Sequence, residues 1–138
     1  RMHFIRRDGK EFNKSFHAEG ALVCPITRAM EEDASLFALT AVERSVVWQA
    51  PAGDFKRCLG QHGVWQPLRA VLLERLVTHK LQREHDLLAF DGRTRYQQLC
   101  LREPALAQRV PLAQLATYLG LTDVSLSRIR RQLKREPA

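Results

Sequence analysis

Cysteine is scarce in this chain: Cys24, Cys58 and Cys100 are the only three, and no two lie close together. An odd, scattered set supports neither a disulfide framework nor a thiolate zinc site, and a reducing cytoplasm is the expected home. Long apolar runs are missing as well. No stretch approaches the ~18 apolar residues of a transmembrane helix, so no membrane partner is expected. Residues 1–7, RMHFIRR, lack the apolar core of a secretory leader. There is no internal repeat and no low-complexity segment. The histidines, His3, His17, His62, His79 and His85, are scattered, and the last two do not share a helix face; no metal site or cofactor is expected. No Ser-His-Asp set, carboxylate pair or Gly-rich phosphate loop is recognisable, so an enzyme has no support. What is present is ordinary globular material. The 138 residues are 45% hydrophobic and 27% charged, enough for one domain or two small ones.

Charge is distributed unevenly. Residues 1–92 carry 13 basic and 12 acidic side chains, a net +1, whereas residues 93–138 carry 9 and 3, a net +6. Nearly the whole excess of +7 therefore sits in the last third. Such a stretch is either a solvated basic surface or a module that binds a polyanion.

The first third reads as β. Residues 2–7 and 11–16 flank Asp8-Gly9, a two-residue hairpin signal. Residues 18–20 make a further turn, residues 21–23 are short and apolar, and Pro25 ends them. Residues 28–34 suit a helical turn or a loop. Residues 36–42 and 45–50 are strand candidates, rich in the β-branched and aromatic side chains Phe37, Val46, Val47 and Trp48. After Pro51 the period changes. A short helix is expected over 54–59, closed by Gly60 or Gly63. A long one follows over about 64–88, with Pro67 in its first turn. Trp65, Leu68, Leu72, Leu76 and His79 recur every three or four residues along one face, and Val71, Leu73, Val77 and Leu81 widen it. At 1.5 Å per residue that helix is ~37 Å long, more than so small a chain readily covers; a core helix with a wide apolar face is the blander alternative. Asp91 suits the N-cap of a helix over 93–102. Glu103-Pro104 interrupts it, and residues 105–108 allow one more turn.

The last segment is the most informative. Residues 111–119 read as a helix with Pro111 at its start, Gly120 as its C-cap residue, and Thr122 as the cap of a second helix running to about residue 135. Ala116 is small enough for two helices to approach closely, and Gly120 permits a left-handed turn between them. Leu115, Leu119, Leu121, Leu126, Ile129 and Leu133 suit one shared core. Asp123, Val124, Ser125, Ser127, Arg128 and Arg131 are left for the exposed faces. Short polar residues near a helix N-terminus and basic ones along its flank are what a major-groove helix needs. This is a helix-turn-helix pattern; a plain helical hairpin is the blander alternative.

Here the chain resembles the Crp/Fnr family of bacterial transcription regulators. The residues that carry the resemblance are Ala-Gln-Arg-Val-Pro (107–111), Leu-Ala-Thr-Tyr-Leu-Gly (115–120) and Ser-Leu-Ser-Arg-Ile-Arg (125–130). Upstream, Asp8-Gly9-Lys10-Glu11, Phe16 with Glu19-Gly20, and Ala41 to Ser45 are similar to the second half of the family's cyclic-nucleotide-binding-like roll. The helix from Val64 resembles the family's dimerisation helix. The resemblance implies an α+β fold: a partial antiparallel β-roll (1–62), a long dimerisation helix and hinge (63–90), and a helix-turn-helix DNA-binding domain with little or no wing (91–138). The first strands of the roll have no counterpart before Arg1, which suggests a piece of a longer chain. The cyclic-nucleotide cassette is altered. Cys24-Pro25 stands where nucleotide-binding members have Gly-Glu, and Ser35 or Leu36 stands where they have arginine, so cyclic AMP is not an expected ligand. The N-terminal cysteine cluster of the iron–sulfur members has no match. Cys24 reads first as a small buried residue and second as a redox sensor.

The implied activity is sequence-specific binding of double-stranded DNA by a homodimer, with RNA polymerase and an unidentified small-molecule effector as further partners. Thr122, Asp123, Val124, Ser125, Ser127, Arg128, Arg131 and Lys134 are the expected DNA-binding residues. Arg128 is assigned to guanine or phosphate, while Arg130, Arg131, Lys134 and Arg135 contact phosphate or are simply solvated. Trp65, Leu68, Leu72, Leu76 and His79 are the expected dimer interface. Asp123-Val124 departs from the Arg-Glu that many members carry, which implies a different operator. The alternative from another class is a dimeric sensor or protein-interaction module that has lost DNA binding.

Overall fold

A computed structural model describes residues 1–32 and 35–135. Among them the chain is mixed α and β, with seven helices and one three-stranded antiparallel sheet. Strands β1 (Met2–Ile5) and β2 (Glu11–Ser15) form the hairpin, and β3 (Ala38–Leu39) adds to the other edge of β1. Ile5 faces Glu11 and His3 faces Asn13, with a bulge before Met2 meets Ser15.

The hairpin loop is longer than Asp8-Gly9 suggests. Arg6 N–H donates to the Lys10 carbonyl and Gly9 N–H to the Arg6 carbonyl, both at 2.9 Å, so Arg7, Asp8 and Gly9 all lie in the loop. A two-residue type I′ turn needs two left-handed residues. Here only Gly9 has positive φ, at 79°, and the extra residue makes up the bend.

The two later strand candidates are largely overturned. Of 36–42, only Ala38–Leu39 is a strand. Residues 45–50 join no ladder: Val46, Val47 and Trp48 are 92%, 80% and 100% exposed. Both edges of β1 are taken and β3 is only two residues long, so residues 45–50 do not extend the sheet beyond β3. Propensity describes fit to a sheet rather than the power to make one.

The helices follow the expected order closely. Helix α1 (Arg28–Glu32) takes the described part of residues 28–34; residues 33 and 34 lie outside the described set. Helix α2 (Ala52–Gln61) contains Gly60, and Gly63, at φ 67°, is the glycine that closes it, with Val64 N–H donating to Leu59. Helix α3 (Trp65–Ala89) has 25 residues. Asp91 caps α4 (Gly92–Arg102) by accepting from Thr94 N–H at 2.7 Å, a bond that also holds its carboxyl below the usual range. Then come α5 (Pro104–Arg109), α6 (Leu112–Tyr118) and α7 (Asp123–Leu133).

The core lies at the C-terminal end. Leu99, Val110, Leu115, Ala116, Leu119 and Leu126 form its centre, with Phe16 from just beyond β2 packed against it. Helix α3, by contrast, has no buried residue along its length. It is tied to the core from one side. Arg83 donates to the Tyr118 carbonyl at 2.6 Å and lies over that ring, while Arg102 pairs with Asp86 at 2.6 Å. Burial works against the charge on Asp86, but hydrogen bonds from Gln82, Arg102 and His85 outweigh it and hold the carboxyl below its usual range.

Candidate nucleic-acid interface

Helices α6 and α7 are set by short-range devices. Leu115 N–H donates to the Pro111 carbonyl at 3.0 Å, opening α6. At its end Gly120 takes φ 68°, and Leu121 N–H returns to the Ala116 carbonyl at 2.8 Å. That left-handed residue reverses the chain as a helix C-terminus requires. Thr122 Oγ1 accepts from Ser125 N–H at 3.2 Å and donates to Ser125 Oγ at 2.8 Å, capping α7. Leu115, Ala116 and Leu126 are completely sealed where the helices meet. Leu121, Ile129 and Leu133 are half-buried around them. Gly92 belongs to the same joint, since a Cβ there would stand 2.7 Å from Leu121 Cδ2.

The eight expected DNA-binding residues divide in three. Asp123, Val124, Ser127, Arg128 and Arg131 line one notch of about 430 Å³, together with Leu112 from the start of α6. Thr122 and Ser125 are engaged with each other in the cap. Lys134 follows the last turn of α7 and is exposed, but does not line the notch. Arg128 and Arg131 are exposed too, so the notch offers two cations, the Asp123 carboxylate and an apolar wall formed by Val124 and Leu112.

Beside the notch-bearing helices lies a contact that no local pattern announces. Asn13 of β2 is 4% exposed; its side-chain amide donates to Thr117 Oγ1 at 2.8 Å and to the Gln114 carbonyl at 3.0 Å. Phe16 meets Tyr118 edge-on at 5.2 Å. Arg109, at the end of α5, forks onto Glu19 at 2.8 and 3.0 Å and also binds Glu43. The hydrogen bonds from Arg109 are the main reason the Glu19 carboxyl falls to about 2. Arg109 is thereby committed to carboxylates. Asn13 and Thr117 were reachable only as polar residues on otherwise mixed faces, which is no signal at all.

The expected dimer residues are distributed along α3. Trp65 is half-buried, edge-on to Phe55 of α2, with the Lys56 ammonium 5.3 Å from the centre of its ring. Leu68, Leu72 and Leu76 are half-buried, and His79 is exposed, 3.5 Å from the Tyr118 hydroxyl. The apolar residues that stand furthest out are others: Val77, Leu81 and Leu88 are 52%, 61% and 81% exposed.

Among the described residues no cluster of three or more His, Cys, Asp or Glu could hold a metal ion, and no helix is long and apolar enough to cross a membrane. Cys24 is half-buried, and burial pushes its thiol up, against the reactive thiolate a redox sensor uses. No protein-family model, no curated protein and no solved structure matches the chain.

Proposed function

We propose that the chain is a sequence-specific DNA-binding regulator of Crp/Fnr type that works as a homodimer. The observation that carries this reading is the notch on α7, where exposed Arg128 and Arg131 flank Val124 and Ser127 at the mouth of a glycine-turned helix pair. In this reading α6 and α7 are a helix-turn-helix. Helix α7 enters the major groove by its N-terminal half, and Arg131 and Lys134 neutralise phosphates. Arg128 reads a base edge, the two-pronged contact that guanidinium makes with guanine. The three-stranded sheet stands for a partial cyclic-nucleotide-binding-like roll, and the effector domain, hinge and reader follow one another along the chain as the sequence suggests.

The second copy is assigned to α3. A helix of 25 residues with none buried leaves Val71, Val77, Leu81, Leu87 and Leu88 exposed, and pairing with its twin is the economical way to cover them. Pairing also spaces two α7 helices for successive major grooves.

Selection of duplexes from a random pool, followed by gel shifts over a salt series, tests the reading. Affinity that falls steeply with salt while keeping a site preference supports it. Salt-insensitive or absent binding overturns it in favour of a dimeric sensor or protein-interaction module. The uncovered α3 favours that second reading equally, because dimerisation is common to both.

A further inference from the structure

We infer that Val124 is a specificity residue that selects thymine, through its C5-methyl group, within one or two base pairs of the base read by Arg128. The inference rests on the DNA-binding reading above and sharpens what α7 would recognise.

Val124 is the second residue of α7 and is 68% exposed, whereas Leu126, two residues on, is completely sealed. An exposed valine in a helix gains nothing from its position in the free protein, since β-branching slightly disfavours the helix. Arg128 lies four residues on, hence on the same face, and both line the notch with Leu112, Asp123, Ser127 and Arg131. Four residues advance the helix by ~6 Å. Base pairs are ~3.4 Å apart along each strand, so the two side chains stand over neighbouring or next-neighbouring base pairs.

The chemistry then chooses the base. In the major groove, adenine and cytosine present amino donors, guanine presents two acceptors, and thymine alone adds a methyl group. An isopropyl group offers neither donor nor acceptor. Pressed against an amino group or a carbonyl it strips water and returns no hydrogen bond. Pressed against a methyl group it buries apolar surface on both sides. Leu112 extends that apolar wall, and Arg128 beside it supplies the polar half of the reader.

The test uses a duplex selected by the wild-type chain. Each thymine of the half-site is replaced in turn by deoxyuridine, which lacks only that methyl group. One position should cost the wild type about fourfold in affinity, the worth of roughly one buried methyl group, and the same replacement should cost Val124→Ala nothing. Both proteins should keep the same salt slope, because Val124 touches no phosphate. Salt-dependent, site-selective binding in which no thymine responds, or in which the response survives in Val124→Ala, overturns the inference and leaves the DNA reading standing. Loss of all salt-dependent binding in the wild type overturns both. Circular dichroism checks that Val124→Ala is folded, as its exposure leads one to expect.

Discussion

Helix α3 and the α6–α7 pair are built from similar apolar residues and reach opposite results. Helix α3 runs for 25 residues and buries none of them. The two short helices, of 7 and 11 residues, seal Leu115 and Leu126 completely. Length is not what makes a core. The short pair succeeds because Gly120 turns one helix back onto the other and Ala116 lets them close. Helix α3 has α2 at one end and a few arginine contacts on one flank, so its apolar side chains stay half-buried or exposed. One unit closes its own core and the other does not.

That contrast can be tested by substitution. Leu126→Ala should have the largest effect, ~2–5 kcal/mol of lost stability from a cavity in a sealed site, read by urea denaturation. Leu81→Ala, on the exposed stripe of α3, should change monomer stability by less than ~0.5 kcal/mol; a larger loss at low protein concentration would erase the distinction between the two units. On the proposed reading, Leu72→Glu should split the dimer and weaken DNA binding, and a dimer persisting in light scattering would count against α3 as the interface. Arg128→Ala should narrow the gap between selected and random duplex by ~1–3 kcal/mol at fixed salt, with the fold unchanged. Gly120→Ala should cost ~1–2 kcal/mol, since a Cβ resists the left-handed turn.

A further effect concerns acid. Arg109 stays protonated throughout, so the pH dependence of its fork belongs to Glu19. With the carboxyl lowered to about 2, the link is fully present above the ordinary glutamate value of ~4.3 and is lost as pH falls through about 2. Arg109→Gln should return the Glu19 titration, followed by carboxyl NMR, to its ordinary range.

Legibility in the sequence followed the range of the interactions. The caps at Asp91 and Thr122 each work within three residues, and the Gly120 turn is equally local; all three were readable from residue type and spacing. The shared core of Leu115, Leu119 and Leu126 was readable from helical period. The strand expected at residues 45–50 failed because a strand is completed by a neighbour, and neighbours are not written in the segment itself. The Arg109 fork is not legible for the same reason, its partners lying 90 and 66 residues away. Within the notch, Leu112 went unnoticed because its place depends on how α6 meets α7, whereas Arg128 and Val124 belong to one helix face.

The Asn13 clasp also sets an order of events in time. Its partners lie 101 and 104 residues further along the chain, and closing so wide a loop precedes any reward from the contact. During synthesis the hairpin leaves the ribosome before α6 and can meet its seat only once α6 has emerged. The α6–α7 pair is set by near neighbours, so these two strands are placed by helices that follow them.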